Sequence, residues 1–334
     1  MVSFNWNQLQ KPIICLAPMA GYTDSAYRQL IKTIAPGVIC FTEFTSADGI
    51  VYESQNTLKQ VEFNPEVERP IVAQIFGKHP ENFTKAAMYL TASGVDAIDI
   101  NMGCPARTVV SSDHGSALLE KPDHAAKLVE ATVKGTNLPV SVKTRLGVCN
   151  CDADFIIKYC KLMENAGASL ITLHGRTAKQ MYTGKADFSL IYEVKKYVKI
   201  PVIGNGDITS VEIAKEKLGN LDGLMIGRGT MGNPWLMKEI FEAFHGDATY
   251  RGPTTFAEKL PWFIKHLELS VETKGERKGT LEMRKYLASA IKDFKNASDY
   301  RSKVVHIETL ADGIRVLHEV QNAIQAEQVA PHEL

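Results

Sequence analysis

The chain has 334 residues, of which 45% are hydrophobic and 23% charged, an ordinary composition for a packed globular protein. Its 38 Lys plus Arg balance 38 Asp plus Glu, which excludes a whole-molecule field steering one kind of partner. No apolar run is long enough to span a bilayer, and "MVSFNWNQLQKPIICLAPMAG" lacks the basic start and unbroken apolar stretch of a secretory signal, so a soluble cytoplasmic protein is expected.

Short apolar runs begin at Pro12, Val38, Ile71, Ala97, Pro139, Leu170, Ile200 and Gly223. Each is bounded by Gly or Pro and apolar on both faces, as parallel strands covered by helices should be. Amphipathic segments lie between them. "DSAYRQLIKTIA" starts from an Asp24 N-cap, "PENFTKAAMYLTASG" runs from Pro80 to Gly94, and "DADFIIKYCKLMENAG" ends on Gly167. "ADFSLIYEVKKYVK" and "TSVEIAKEKLG" follow the same pattern. About eight alternations of roughly 30 residues predict a (β/α)8 TIM barrel over 1–246. An open doubly wound sheet is the rival, but no nucleotide fingerprint follows an early strand.

"GDATYRGPTT" reads as a linker, and 247–334 shows only helical periodicity, predicting a small C-terminal helical domain. "TFAEKLPWFIKHLELSVETKG", "TLEMRKYLASAIKDFKN" and "YRSKVVHIETLADGIRVLHEVQNAI" are its three segments. From Lys274 to Lys303 nine Lys or Arg face four Asp or Glu, so the neutral total hides a basic patch. The six cysteines include no CxxC pair. Cys149 and Cys151 are too close for zinc-finger spacing and have no second pair, so no metal site is expected.

In such a barrel the working residues sit at the C-terminal strand ends. Met19, Gln74, Asn101, Cys104, Lys143, Arg145, His174 and Arg176 all fall there, with "GNGD" (204–207) and "GRG" (227–229) after the last two strands. Polar side chains inside barrel strands are costly to desolvate, so several at one end imply a polar ligand. The two glycine turns would let backbone N–H groups approach a phosphate, with Arg228 adding a bidentate cation. Lys143 could hold an anion, form a Schiff base or stabilise a reduced flavin; Gln74, both donor and acceptor, suits a flavin's pyrimidine edge.

"APMAGYTD", "AQIFG", "DINMGCP", "GSALL", "VKTRLG", "LHGRT", "GNGDI" and "DGLMIGRGTMGNPW" occur in this order. The sequence closely resembles the tRNA-dihydrouridine synthases, flavoenzymes that reduce particular uridines in tRNA, and most of all their bacterial B-type branch. The likeness spans the barrel nearly end to end and continues more weakly into the tail through "MRKYLASAIKDF". It implies FMN as cofactor, NADPH as reductant with NADH as the alternative, tRNA as substrate, and a monomer. By position, it implies flavin contacts at Pro18, Met19, Ala20, Gln74, Lys143 and His174. Phosphate and ribityl contacts fall at Asn205, Gly206, Asp207, Gly227 and Arg228. Cys104 matches the catalytic cysteine and Asn101 the contact to the uracil, with Arg145 and Arg176 expected on the nucleotide. Gly103 is expected to leave room for flavin and base.

Reducing a uracil double bond takes a hydride at C6 and a proton at C5. An ordinary thiol, with a pKa near 8.5, stays protonated at neutral pH and can deliver that proton, so Cys104 is expected to act as a general acid and not as a nucleophile. Arg284, Lys285, Lys292, Lys295, Arg301 and Lys303, interleaved with Tyr and Phe, are expected to bind tRNA phosphates. In one respect the chain departs from B-type relatives: after Cys104 it reads "ARTVVSSDHGSALL", a less basic loop, which bears on substrate position. An FMN-dependent small-molecule pyrimidine oxidoreductase of the dihydroorotate-dehydrogenase type would not explain the basic tail. A flavin-binding RNA chaperone without turnover would not need Cys104, Lys143 and His174.

Overall fold

The computed structural model describes residues 4–106 and 112–329, with side chains to 327. Its centre is a closed parallel barrel of eight strands: β1 (Ile13–Leu16), β2 (Ile39–Phe41), β3 (Ile71–Phe76), β4 (Ala97–Met102), β5 (Val140–Arg145), β6 (Leu170–His174), β7 (Val202–Asn205) and β8 (Gly223–Ile226). Each strand pairs with the next, and β8 closes on β1 with Ile13 opposite Gly223. A two-residue strand, Thr45–Ser46, extends the mouth beside the end of β3.

The period of two along each strand sorts side chains between two environments. On β4, Ile98, Ile100 and Met102 face outward into the large core shared with the helices. The alternate positions Ala97, Asp99 and Asn101 face the lumen. Its lower part is apolar, filled by Ile13, Ile39, Val72, Ala97, Leu170 and Ile203. Trp6 closes the floor, edge-on to Phe4 at 4.8 Å and stacked on Phe41 at 6.4 Å. Upward the lumen turns polar, and the register sets the levels: Gln74 lies opposite Asp99 and Asp99 opposite Ser141, then Asn101 opposite Lys143, and Arg145 opposite His174.

Helix starts follow local chemistry. Asp24 caps α1 (Ser25–Ile34) by accepting from Tyr27 N, while the next long helix, α2 (Pro80–Ser93), begins on its proline and stops at Gly94 in the left-handed region. In the tail, Thr255 and Glu258 form a capping box at the head of α3 (Phe256–Lys274). Next comes α4 (Glu276–Ala290). The last predicted segment, read as one stretch, is two helices: α5 (Ala297–Val304) and α6 (Leu310–Val329). The break has a local cause: Thr309 Oγ1 accepts from Asp312 N at 3.1 Å and Asp312 Oδ2 from Thr309 N at 3.2 Å, a reciprocal cap that starts a new helix. These four helices share an apolar cluster that includes Leu267, Met283, Leu287, Val304, Leu317 and Val320. The tail docks on the turn between β1 and α1. Lys274 pairs with Asp24, Tyr286 Oη donates to Tyr22 O at 3.2 Å, and Lys285 Nζ donates to Gly21 O at 2.5 Å.

Candidate active site

At the C-terminal strand ends the lumen opens into a cavity of about 580 Å³, within the range of cofactor and ligand sites. Seven strand ends and the turns after them supply its wall: Pro18, Met19 and Ala20 after β1, Gln74 on β3, Asn101 and Cys104 at β4, Lys143 and Arg145 on β5, His174 on β6, and the 205–208 and 227–229 turns after β7 and β8. Of the residues read from sequence as cofactor contacts, all eleven line this one cavity. The basic loop residue Arg107 lies outside the described residues.

Cys104 is half-buried. Its backbone N–H donates to Asn101 Oδ1 at 2.9 Å and its carbonyl accepts from Ser116 N at 3.0 Å, so both sides of the thiol's backbone are held. Lys143 Nζ donates to Asn205 Oδ1 at 3.1 Å, and Asn205 Nδ2 donates to Met225 O at 2.7 Å. Burial, reinforced by Arg145, pulls the Lys143 amine down to about 8. An ammonium has three donors, and a half-buried one lining a cavity suits an anionic or electron-rich ligand. Burial, with Lys143, Arg145, Arg176 and Arg228 all close, drives His174 far below its ordinary value, so its imidazole is neutral. Arg176 Nη1 lies 3.4 Å from His174 Nε2 and can only donate, which leaves the ring proton on Nδ1.

Three of the residues read from sequence have partners or close neighbours of their own. Arg145, expected on the nucleotide, lines the cavity, but its guanidinium donates to the carbonyls of Gly103 (2.8 Å), Thr177 (2.9 Å) and Met181 (3.0 Å). Arg176 stands two residues beyond the end of β6 and does not line the cavity. Its head is 2.6 Å from Asp207 and donates to Thr183 O and Gly184 O. A buried guanidinium needs partners for its donors, and backbone carbonyls of the mouth loops accept from Arg145 Nε and Nη1 and from Arg176 Nε and Nη2. Both arginines thus hold the mouth together. Gly103, expected to leave room for flavin and base, lines the cavity, and a Cβ there would sit 3.2 Å from the Thr144 backbone. Its smallness serves the packing of β4 on β5.

Asp207, expected among the phosphate and ribityl contacts, is shared by two cations. Arg176 lies 2.6 Å and Arg228 3.2 Å away, and Ala186 N donates to it at 2.9 Å. Burial opposes its charge, but Ala186 and Arg176 outweigh burial and hold the carboxyl below its ordinary value. It therefore aims Arg228. Gly206 beside it has φ +132°, and a Cβ would fall 2.6 Å from Ala186 Cβ, so only glycine makes this turn.

Arg284 and Lys285 do not line this cavity. Arg284 Nε donates to Ile307 O at 2.9 Å inside the tail, and Arg301 Nη1 donates to Ile291 O at 2.9 Å. Lys303 pairs with Glu319 at 2.7 Å. Lys285 lies over the Tyr22 and Tyr286 rings and lines a neighbouring polar groove of about 970 Å³ between barrel and tail. Lys292 and Lys295 are exposed.

Sequence reading missed two site residues. Tyr182 stands at the mouth, 54% exposed, with the Arg228 guanidinium carbon 4.4 Å from its ring centre. It lies in a loop without periodicity, and nothing in the sequence signals it. Asp99 sits at the base of the site, and its signal was legible: an acid inside a strand apolar on both sides.

A closed parallel barrel whose lumen turns polar toward the C-terminal strand ends, and there presents a thiol, an amine and side-chain amides to one cavity, is a TIM-barrel enzyme. Comparison with known proteins narrows the class. The dihydrouridine synthase family matches residues 15–328, and the chain belongs to that family. A relative named probable tRNA-dihydrouridine synthase 1 from Synechocystis sp. is 39% identical over 301 residues, 89% of this chain and 83% of the relative. A tRNA-dihydrouridine synthase B from Xanthomonas campestris is 34% identical over 300 residues, 89% of each chain. Among solved structures, histamine dehydrogenase from Rhizobium sp. 4-9 aligns with a TM-score of 0.53 at 13% identity, over 93% of this chain and 62% of that one. An old yellow enzyme homologue from Zymomonas mobilis aligns at 0.50 and 15% identity, over 72% and 92%. These two likenesses are of fold.

Proposed function

We propose that the protein is an FMN-dependent, NADPH-driven tRNA-dihydrouridine synthase in which Cys104 protonates C5 of the target uracil. The observation that carries this reading is the meeting of Cys104, Asn101, Gln74 and the half-buried Lys143 in one cavity of cofactor size. The donor set fits FMN: Lys143 and Gln74 suit the electron-rich edge of the ring system, and Arg228 with the 205–207 and 227–229 turns suits its phosphate. When bound, FMN supplies the hydride for C6.

The protein's own groups have separate tasks. Asn101 fixes the Cys104 backbone and keeps one N–H for the base. Neutral His174 can donate from Nδ1 without adding a positive charge. Tyr182 offers a flat exposed ring at the mouth, where an extruded base can stack. Arg145 and Arg176 rigidify the loops that carry these groups. The tail, 247–334, is proposed as a tRNA-binding unit, with exposed Lys292 and Lys295 as its phosphate contacts in place of Arg284.

The test is Cys104→Ala. The variant should retain bound yellow flavin and oxidise NADPH while losing tRNA reduction by about 100-fold or more, the usual scale for a general acid. Normal dihydrouridine formation would refute the role. Orotate-like pyrimidines reoxidising the reduced protein faster than tRNA would favour the small-molecule alternative. NADPH and tRNA using the same cavity in turn should give parallel initial-rate lines.

A further inference from the structure

We propose that Asp99 is a positioning residue whose buried carboxylate sets the direction of a side-chain relay and so fixes how Gln74, Asn101 and the Cys104 loop face the site. The inference deepens the function proposed above and rests on it for the identity of the bound group.

Asp99 stands on β4 one level below Asn101 and is 0% exposed. Its Oδ1 accepts from the Ser141 hydroxyl and its Oδ2 from Gln74 Nε2, each at 2.6 Å. A carboxylate can only accept, so the NH2 end of Gln74 must turn toward it. The carbonyl end then faces the other way, where it accepts from Asn101 Nδ2 at 3.0 Å. With its nitrogen committed, Asn101 turns Oδ1 to the backbone N–H groups of Gly103 and Cys104, at 3.1 and 2.9 Å. A side-chain amide left alone has two orientations of similar shape. Here the charge at the foot fixes Gln74, and the Gly103 and Cys104 N–H groups at the head, which can only donate, demand the matching orientation of Asn101, so the whole chain has one direction. Gln74 keeps one N–H and one oxygen lone pair, and Asn101 one N–H, for a ligand. Which of these faces the cavity is decided at Asp99.

The position is a poor one for stability. Its lumen neighbours below are apolar, and burial pushes the carboxyl up to about 6, against Gln74, Ser141 and Lys143, which favour the charge. A neutral side chain would be less costly there. The unfavourable burial is accounted for if the acceptor-only character of the carboxylate is what the site needs.

The experiment uses the full-length chain as wild type, Asp99→Asn and Asp99→Asn with Gln74→Glu. Three quantities are read: the iodoacetamide labelling rate of Cys104 by peptide mapping without added FMN, the FMN dissociation constant by flavin fluorescence, and the thermal midpoint. Asp99→Asn removes the acceptor-only foot and frees Gln74 to flip, which sets its NH2 against Asn101 Nδ2 and loosens the hold of Asn101 on the Gly103 and Cys104 N–H groups. It should change Cys104 labelling about fivefold or more and weaken FMN binding about tenfold, roughly one lost hydrogen bond's worth, without lowering the midpoint. In the double variant the amide introduced at position 99 can donate to the carboxylate introduced at position 74, whose other oxygen again accepts from Asn101. Labelling should therefore return to within about twofold of wild type, a rescue that mere packing would not give. Unchanged labelling in Asp99→Asn, a double variant no closer to wild type than the single one, or changes that only track a lowered midpoint would each overturn the relay. If the wild-type chain fails to bind FMN, the proposed cofactor is refuted, and the labelling comparison still decides the relay.

Discussion

His266 on α3 is packed between Tyr27 of α1, with ring centres 5.4 Å apart, and Tyr286 of α4, at 5.0 Å, where the tail meets the barrel. It is 6% exposed. Burial pulls its imidazole down to about 4, although Asp24 favours the charged form; Lys274 adds to the fall. The sign follows from proton counting. As pH drops below about 6.5 the unfolded chain protonates this histidine, while the folded chain holds it neutral until about 4. Stability is therefore lost as pH falls through that window. The fall from about 6.5 to about 4 corresponds to about 3 kcal/mol in all, of which about 2 kcal/mol is lost by pH 5. Urea unfolding of wild type and His266→Phe at pH 7.5 and 5.0 measures it. Phe keeps the aromatic packing and cannot titrate. Because His174 adds a loss of the same sign and Asp99 one of the opposite sign, only the difference between the two proteins isolates His266. Wild type should lose about 2 kcal/mol relative to the variant. Equal losses would refute the reasoning, because they would mean that His266 becomes charged inside the folded interface at no cost.

Asp99 gives the converse slope. With its folded carboxyl at about 6 and its unfolded one near 3.9, the folded state binds the extra proton, so wild type loses about 2 kcal/mol relative to Asp99→Asn as pH rises from about 4 to about 6; a constant difference contradicts the shift. Arg284→Ala removes the paired donors to Ile307 O and should cost about 1–3 kcal/mol in the unfolding free energy; an unchanged midpoint would return Arg284 to the candidates for phosphate contact. Lys292→Glu with Lys295→Glu should lower tRNA affinity at least about tenfold at low salt and leave the midpoint in place; unchanged affinity would put the interface elsewhere.

Much of the site was legible because strand-end chemistry is local. Short runs apolar on both faces, each closed by Gly or Pro, define barrel strands, and barrel strands carry their reactive groups at one end. Hence Gln74, Lys143 and Cys104, far apart in the chain, could be assigned to one mouth. The paired cap at Thr309 and Asp312 was also written in the sequence, yet a continuous apolar period across it hid the break between α5 and α6. Charge was read less well. Arg145, Arg176 and Arg284 have the residue type of a phosphate contact, but a sequence shows neither whether a guanidinium is buried nor which carbonyls surround it.

The sequence by itself determined the barrel, the family and the identity of the groups at the mouth, because each depends on residue type and on spacing along the chain. Only the tertiary structure decided what those groups are free to do. Strand register placed Gln74 level with Asp99 and Asn101 level with Lys143. Burial made His174 neutral, and loop closure committed Arg145 and Arg176 to carbonyls. Hydrogen bonds and desolvation act between neighbours in space, and β-register is what makes distant residues neighbours.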